Sequence, residues 1–200
     1  MVIKKSTLDA LFNPKSIAII GATPDPKLIG GRPLAYLQKN NYAGNIFPVN
    51  PKYDEIAGLK CYGNITEINK TIDLAIISLP KELVLNTFKE CATSGVRSVV
   101  IFSAGFAEVD DEGRQIQEEI ASIANQHNVR VLGPNCLGMF NVNQGVYATF
   151  STIIEKQTPL KGKIGFVSQS GAFGSHVFTL ARQHQIGFSH FIATGNESDI

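Results

Sequence analysis

The sequence predicts an α/β protein built on a doubly wound parallel sheet. Short apolar runs recur along the chain, stretches with helical periodicity lie between several of them, and the composition is 44% hydrophobic but only 18% charged. Continuous apolar runs are typical of strands buried on both faces, and strands that alternate with helices form βαβ units. With 200 residues, the chain is long enough for one large domain, or for one domain and part of a second.

Five apolar runs predict the strands of a first, Rossmann-like domain. They cover residues 16–21, 45–50, 73–78, 97–102 and 128–133, at intervals that each leave room for a helix. The second run contains Pro48, which cannot donate a hydrogen bond to a neighbouring strand, so we expect this strand to be short or close to a sheet edge.

Helical periodicity appears in three stretches of the same region, residues 33–40, 81–94 and 110–127. The third begins with Asp110, Asp111 and Glu112, and acidic side chains suit the positive end of a helix. Together with the five strands, these helices have the size of a nucleotide-binding unit.

A second, smaller unit follows a looser segment. Residues 142–158 are polar and contain Gly145, so we interpret them as a connection. The pattern then restarts with a strand at 163–168, a helix at 172–185 and a strand at 189–194. We therefore expect a first domain at residues 1–140, a connection at 141–160 and the start of a flavodoxin-like α/β domain, cut short, at 161–200.

Composition and charge exclude several classes of function. The 18 basic and 17 acidic residues give no basic surface for nucleic acid or for an anionic membrane. Cys61, Cys91 and Cys136 are an odd number without a C-x-x-C pair, so neither a disulfide framework nor a zinc site is expected. The four histidines do not have metal-ligand spacing. Without an apolar leader or a membrane-length run, we expect a cytoplasmic protein without a metal.

Small residues dominate the turns that follow the predicted strands of the first domain. In a doubly wound sheet, ligands bind outside the carboxyl ends of the strands. Each turn alone could be an ordinary βα turn, but five at one edge favour a site where a phosphate approaches the main chain. The candidate residues are Gly21, Ala22, Thr23, Asn50, Lys52, Ser78, Leu79, Pro80, Ser103, Ala104, Gly105, Pro134 and Asn135.

The residue types at this edge favour a phosphorylated ribose over NAD. The G-x-G-x-x-G motif is missing after the first strand, and Asn50 and Lys52 stand where NAD-binding proteins place a carboxylate. A lysine suits a phosphate, so NADP or coenzyme A fits better than NAD. The alternative for Lys52 is a solvated surface lysine.

A second candidate lies between the strand at 163–168 and the following helix. Ser168 or Ser170, followed by Gly171, can cap that helix, and its N-terminal amides could then bind an anion. A cap without further function explains the same residues. Phe166 replaces the first glycine of a G-x-S-x-G elbow centred on Ser168, so we assign no catalytic residue.

Five segments together resemble one family. Residues 16–21, 48–53, 98–108, 132–138 and 167–171 resemble the N-terminal part of NDP-forming acyl-CoA synthetases. These are ligases of the ADP-forming acetate–CoA ligase type, related to the succinyl-CoA synthetase alpha subunit. The resemblance covers nearly the whole chain in the same order. It implies a CoA-binding, Rossmann-like domain followed by a flavodoxin-like ligase domain.

The resemblance also implies roles for the candidate residues. Gly21, Ala22 and Thr23 would line the CoA diphosphate, and Lys52 would meet a CoA phosphate. Ser78, Leu79 and Pro80 would flank the cofactor, Ser103, Ala104 and Gly105 would approach the pantetheine arm, and Pro134 and Asn135 would lie near the thiol. Ser168, Ser170 and Gly171 would hold the phosphate of a phosphohistidine.

Family enzymes make acyl-CoA from a carboxylic acid, CoA and ATP through that phosphohistidine. None of the four histidines here matches it, and the ATP-grasp part, which would hold ATP or ADP with Mg, is absent. We therefore expect the chain to bind CoA but not to catalyse the ligase reaction alone, and to work with an ATP-grasp domain or subunit in an oligomer. The alternative is a non-catalytic CoA- or NADP-binding regulatory module, of the acyltransferase-fusion or redox-sensor type.

Overall fold

The computed structural model of the protein describes residues 5–156 and 159–200. In chain order, its helices and strands are α1 (Lys5–Phe12), β1 (Ser16–Ile20), α2 (Arg32–Lys39), β2 (Asn45–Val49), β3 (Glu55–Ile56), β4 (Leu59–Lys60), β5 (Leu74–Ile77), α3 (Lys81–Thr93), β6 (Ser98–Ile101), α4 (Asp111–His127), β7 (Arg130–Leu132), β8 (Gly138–Asn141), β9 (Val146–Thr149), α5 (Ile153–Lys156), β10 (Lys161–Ser168), α6 (Gly171–Gln183) and β11 (Phe188–Ala193). A short 3₁₀ helix covers Ile65–Glu67.

The first sheet has five strands in the order β2-β1-β5-β6-β7, and every neighbouring pair is parallel. These are the five strands predicted from the apolar runs, so the doubly wound α/β class is confirmed. The strand β2 is at the edge, with Pro48 in register with Ile19. An edge position tolerates a proline that cannot donate a ladder hydrogen bond.

The chain passes from β1 to β2 on one side, and then returns to β5 on the other side of β1. Strand order therefore reverses direction at β1. In open α/β sheets, such a switch point leaves a crevice at the carboxyl ends of the strands. The topology thus places a ligand-sized gap next to the turns that follow β1, β2 and β5.

The connection from β2 to β5 differs from the sequence expectation. The interval leaves room for a helix, but the structure has an antiparallel ribbon of β3 and β4 followed by the 3₁₀ helix. Ala57 and Gly58 have φ angles of 52° and 78°, as a tight two-residue hairpin turn requires. The ribbon brings residues 63–65 to the crevice.

The second sheet has the order β10-β11-β8-β9. The strands β10 and β11 are parallel and joined by α6, as the sequence predicts, whereas β8 and β9 form an antiparallel hairpin against β11. The segment expected to be only a connection therefore contains β9 and α5. Every residue of β9 is buried, but the strand is short and follows a polar turn, which hid it in the sequence.

The two sheets share a hydrophobic core. Met139 and Ala148 of the hairpin and Ile192 of β11 pack in one cluster with the first domain's residues Ile17 and Ile19. Burial of these side chains joins the two units. Across residues 5–156 and 159–200, no helix combines the length and apolar character needed to cross a membrane.

Candidate functional site

A cleft of about 540 Å³ lies at the switch point of the first sheet. Its volume is in the range typical of small-molecule sites. Its walls are the ends of β1 and β2, the segment after β4, the turn after β5 and one face of α3. The lining residues are Ile20, Gly21, Val49, Asn50, Pro51, Lys52, Gly63, Asn64, Ile65, Leu79, Pro80, Leu83, Asn86, Thr87 and Glu90.

The turn after β1 is closed by backbone contacts. Gly21 has φ +84°, and a Cβ there would overlap the Ser78 carbonyl oxygen, so the position requires glycine. The amides of Gly21 and Ala22 both donate to the Val49 carbonyl, at 3.0 and 3.3 Å. Ala22 is completely buried. These two amides hold the turn together, and the surface that this turn offers to the cleft is the Gly21 backbone.

Asn50 joins the turns after β1 and β2. Its Nδ2 donates to the Ala22 carbonyl at 2.8 Å, and its Oδ1 accepts from the Lys52 amide at 3.0 Å. Lys52 is exposed and lines the cleft. Within the described residues, its ammonium group forms no salt bridge. Among the residues that the structure describes, Lys52 is therefore a cation without a salt-bridge partner, at the rim of an otherwise mainly apolar cleft.

One wall of the cleft was missed by the sequence analysis. Leu83, Asn86, Thr87 and Glu90 of α3 face the cleft, at the i, i+3, i+4 and i+7 spacing of one helix face. The Asn64 side-chain Nδ2 donates to Glu90 Oε2 at 3.0 Å and so joins this helix to the segment after β4. The helical spacing was visible in the sequence, but which face of the helix meets a ligand was not.

The loop after β6 is fixed by hydrogen bonds at both ends. The Ser103 hydroxyl donates to the Leu79 carbonyl, and the Glu108 carboxylate accepts from the Gly105 amide at 2.6 Å and from the Phe106 amide at 3.1 Å. The Asn196 side-chain amide also donates to Glu108. Burial alone would raise the pKa of Glu108, but these hydrogen bonds outweigh it and lower that pKa.

The turn after β7 leads to a different cavity. The Asn135 amide donates to the Ser103 carbonyl at 2.8 Å, and the Asn135 side chain donates to Asn196 at 3.2 Å. Asn135 and Gly171 both line a second cavity, of about 420 Å³, between the two sheets. We call it the interdomain cavity.

The turn before α6 has the geometry of a helix cap. The Ser170 Oγ accepts from the Phe173 amide at 3.2 Å, and the Ser168 hydroxyl donates to the Ser170 carbonyl at 2.9 Å. Ser170 is thus the N-cap residue, and Gly171 is the member of the predicted trio that reaches the interdomain cavity.

Seven of the sixteen predicted residues line one of these two cavities, and the other nine line neither: Ala22, Thr23, Ser78, Ser103, Ala104, Gly105, Pro134, Ser168 and Ser170. Gly21, Asn50, Lys52, Leu79 and Pro80 line the cleft at the switch point. Asn135 and Gly171 line the interdomain cavity. The fixed loop at residues 103–105 follows β6, which lies between β5 and β7 in the sheet.

The cysteine side chains lie in the interior of the protein. All three cysteines are free and buried, and burial raises the pKa of the Cys91 and Cys136 thiols to about 12. Such thiols stay protonated at neutral pH. No group of His, Cys, Asp or Glu in the described part of the chain has the arrangement of a metal site.

Comparison with known sequences decides the family. A sequence model described as "CoA binding domain" matches residues 15–141. The chain belongs to this CoA-binding domain family. The CoA-binding domain thus includes the whole five-stranded sheet and the cleft at its switch point. A model described as "Succinyl-CoA ligase like flavodoxin domain" matches residues 161–200, where β10, α6 and β11 lie.

Curated relatives extend the similarity beyond the CoA-binding domain. The chain is 42% identical over 193 residues to acetate–CoA ligase [ADP-forming] II subunit alpha of Pyrococcus furiosus. The matched region covers 96% of this chain and 41% of that protein. It is 39% identical over 191 residues to acetate–CoA ligase [ADP-forming] I of Archaeoglobus fulgidus, covering 96% of this chain and 27% of the relative. The chain therefore spans less than half the length of these relatives.

Solved structures show the same arrangement of both units. An acetyl-coenzyme A synthetase of Ca. Korarchaeum cryptofilum superposes with a TM-score of 0.89 at 36% identity, over 96% of this chain and 41% of that one. A Pyrococcus horikoshii OT3 protein superposes with a TM-score of 0.86 at 41% identity, over 96% of this chain and 43% of the other. The resemblance found in the sequence to ADP-forming acetate–CoA ligases is confirmed.

Proposed function

We propose that this chain is the CoA-binding part of an ADP-forming acid–CoA ligase and that it binds CoA in the cleft at the switch point. The observation that carries this is the Lys52 ammonium, which forms no salt bridge within the described residues and lies at the rim of a mainly apolar cleft beside the Gly21 turn. An apolar site with one free cation suits a nucleotide whose base is buried and whose ribose carries a phosphate.

The order of the strands supports an extended path for CoA. Lys52, Gly21, Leu79, Ser103 and Asn135 follow β2, β1, β5, β6 and β7, which are successive neighbours in the sheet. Strands lie about 4.8 Å apart, so this row spans about 19 Å. We place the CoA 3′-phosphate at Lys52 and the diphosphate at the turn of Gly21, Ala22 and Thr23. The reactive end lies near Pro134 and Asn135, at the interdomain cavity.

The intermediate turns would guide the ligand between these ends. Ser78, Leu79 and Pro80 would flank the cofactor, and Ser103, Ala104 and Gly105 would approach the pantetheine arm. The support is the rigidity of this loop, whose Ser103 hydroxyl and Gly105 amide are both hydrogen-bonded. A fixed wall lowers the entropy that is lost when a flexible ligand is ordered.

A phosphate is the proposed ligand at the start of α6. Ser168, Ser170 and Gly171 precede or begin a helix of 13 residues, whose N-terminus favours anions. In the proposed reaction, this turn holds the phosphate of a phosphohistidine. His127, His176, His184 and His190 all lie outside the lining of the interdomain cavity, so we assign that histidine to another part of the enzyme.

The complete ligase would require further protein. Its substrates would be a carboxylic acid, CoA and ATP, with ATP or ADP and Mg bound by an ATP-grasp domain or subunit, in a cytoplasmic oligomer. The relatives' names include acetate, feruloyl and 4-hydroxybutyrate ligases or synthases. We therefore propose a carboxylic acid as the substrate and do not assign its acyl group.

Calorimetric titration of the 200-residue chain with CoA, NADPH and NADH tests the cofactor assignment. We expect saturable binding of CoA, with much weaker binding of NADPH and NADH. Tight binding of NADPH without binding of CoA would refute the proposal and would favour a redox-responsive regulatory module.

A further inference from the structure

The segment that follows β11 lies against the first domain. We call residues 195–199 the docked segment. The Asn196 amide donates to the Pro134 carbonyl, in the turn after β7, at 2.9 Å. Gly195 has φ +67°, and a Cβ there would overlap the Pro134 carbonyl oxygen, so the two backbones approach closely. The second unit therefore contacts the first domain at the turn where we place the reactive end of CoA.

The far end of the docked segment is attached to the edge of the first sheet. Asp199 Oδ2 accepts from Arg130 Nε at 2.7 Å and from the Val131 amide at 2.9 Å, both in the edge strand β7. The Ser198 hydroxyl donates to the Gly133 carbonyl at 2.7 Å. These contacts fix the backbone on both sides of Asn196, so its side chain has a defined place.

The Asn196 side chain joins three groups of the first domain. Its Nδ2 donates to the Glu108 carboxylate and to Gln117 Oε1, the latter at 2.9 Å. Its Oδ1 accepts from Asn135 Nδ2 at 3.2 Å. This arrangement needs a side chain that donates twice and also accepts, and an amide group does both.

Two of these partners hold the loop after β6. The Glu108 carboxylate accepts from the Gly105 and Phe106 amides, at 2.6 and 3.1 Å, and Gln117 Oε1 accepts from the Ala107 amide at 3.4 Å. Three successive amides of the loop are therefore bound by the two side chains to which Asn196 donates. Because Asn135 is the third partner, Asn196 connects this loop with the turn after β7.

We propose that Asn196 is a positioning residue for CoA binding, which holds the loop after β6 and the turn after β7 in the arrangement that receives the pantetheine arm and the thiol. The assignment rests on the proposed function, which places these parts of CoA at residues 103–105 and at residues 134–135. An ordered wall lowers the entropy that is lost when a flexible ligand binds. The CoA affinity of the first domain therefore depends on the docked segment.

Hydrogen exchange of the amides at residues 105–107 tests the positioning without any ligand. It is measured by NMR on the ¹⁵N-labelled 200-residue chain. In Asn196→Asp, a new carboxylate faces Glu108 and like charges repel, so we expect these amides to exchange at least about threefold faster than in wild type. Asn143→Asp is the matched control, because it adds the same charge at an exposed residue of the turn between β8 and β9. Unchanged exchange in Asn196→Asp would overturn the assignment.

CoA and adenosine 3′,5′-bisphosphate separate positioning from a general loss of structure. The bisphosphate has the base, the ribose, the 3′-phosphate and one 5′-phosphate of CoA but no pantetheine arm, so on the proposed path it does not reach the loop after β6. Asn196→Ala should weaken CoA binding about fivefold, as expected for a partly solvated hydrogen bond to a charged group, and Asn196→Asp should weaken it further. Both variants should bind the bisphosphate as wild type does, and equal losses for the two ligands would overturn the assignment.

A double variant tests the contact with Glu108. In Asn196→Asp with Glu108→Gln, the repulsion is removed and the glutamine amide can donate to the new carboxylate. This variant should recover part of the CoA affinity that Asn196→Asp loses. No recovery would overturn Glu108 as the group through which Asn196 acts.

Calorimetric titration of wild type with CoA distinguishes a failure of this assignment from a failure of the proposed function. Faster exchange at residues 105–107 together with weaker binding of CoA alone supports the role of Asn196. Equal CoA affinity in wild type and Asn196→Ala overturns that role and leaves the proposed function standing. A wild-type chain that does not bind CoA overturns the proposed function instead, whatever the exchange at residues 105–107.

Discussion

Replacement of Lys52 by alanine is the most direct test of the proposed CoA phosphate site. The Lys52 ammonium has no salt bridge within the described residues and lies at the rim of the cleft. A hydrogen bond to a charged group contributes about 1.5–3 kcal/mol. Because Lys52 is exposed, solvent screening reduces this to about 1 kcal/mol. Lys52→Ala should therefore weaken CoA binding about fivefold.

The comparison of CoA with dephospho-CoA isolates the 3′-phosphate. Dephospho-CoA should bind wild type and Lys52→Ala equally, and the difference between the two ligands should shrink at high salt, since screening at 1 M acts over about 3 Å. Isothermal titration calorimetry at low and high salt measures all of these affinities. Lys60→Ala is a matched control, because Lys60 is also exposed but its ammonium lies over the Tyr62 ring.

Two results would refute the assignment of Lys52. Equal losses for CoA and dephospho-CoA would show that Lys52 does not meet the 3′-phosphate. An equal loss in Lys60→Ala would show that only the general positive potential of this region matters.

Three further predictions concern the turns around the cleft and the interdomain cavity. Gly21→Ala should lower the free energy of unfolding in urea by at least about 2 kcal/mol, because a Cβ would overlap the Ser78 carbonyl at positive φ. Gly58 also has positive φ, but a Cβ there would meet no atom within 4 Å, so Gly58→Ala should lower the free energy of unfolding by only about 1 kcal/mol. Equal losses in the two variants would contradict the overlap at Gly21. Ser170→Ala should lower the free energy of unfolding by about 1 kcal/mol through loss of the α6 cap, whereas Ser168→Ala should lower it less. Thermal melting of both variants shows which one is less stable. A less stable Ser168→Ala would exclude Ser170 as the cap. Because the folded-state pKa of Glu108 is lowered, its carboxylate stabilises the fold above its ordinary pKa of about 4.3, and that stability is lost as the pH falls through the folded pKa. In urea unfolding between pH 7 and pH 3, the free energy of unfolding of Glu108→Gln should fall less with acid than that of wild type. Identical pH profiles for the two proteins would exclude this contribution.

Much of the first domain could be predicted from local sequence. The five apolar runs gave the five strands because a strand buried on both faces needs apolar residues at every position. Pro48 predicted an edge strand for the same kind of local reason. The helix α4 begins as expected, with the Asp110 side chain accepting from the Gly113 amide at 2.7 Å. The turns that follow the strands were also located correctly.

Prediction was weaker where partners are distant in sequence. The hairpin of β8 and β9 could not be recognised, since its short strands are buried only by pairing with β11 and by packing on the first domain. The α3 wall of the cleft was missed because periodicity shows that a helix has faces, but not which of them meets a ligand. The salt bridge of Arg32 could not be predicted because its partner Glu155 lies on α5, far away in the sequence.

The sequence by itself determined the class of fold, the row of turns at the strand ends and a cap of α6 by Ser168 or Ser170, because these depend on residues close together in the chain. Only the tertiary structure decided which of these residues share a cavity. It showed that the amides of Gly21 and Ala22 are already paired with Val49, and that the two domains enclose a cavity lined by Arg32 and Gly171. Such arrangements depend on how sheets and helices pack, and packing is decided by contacts between distant residues.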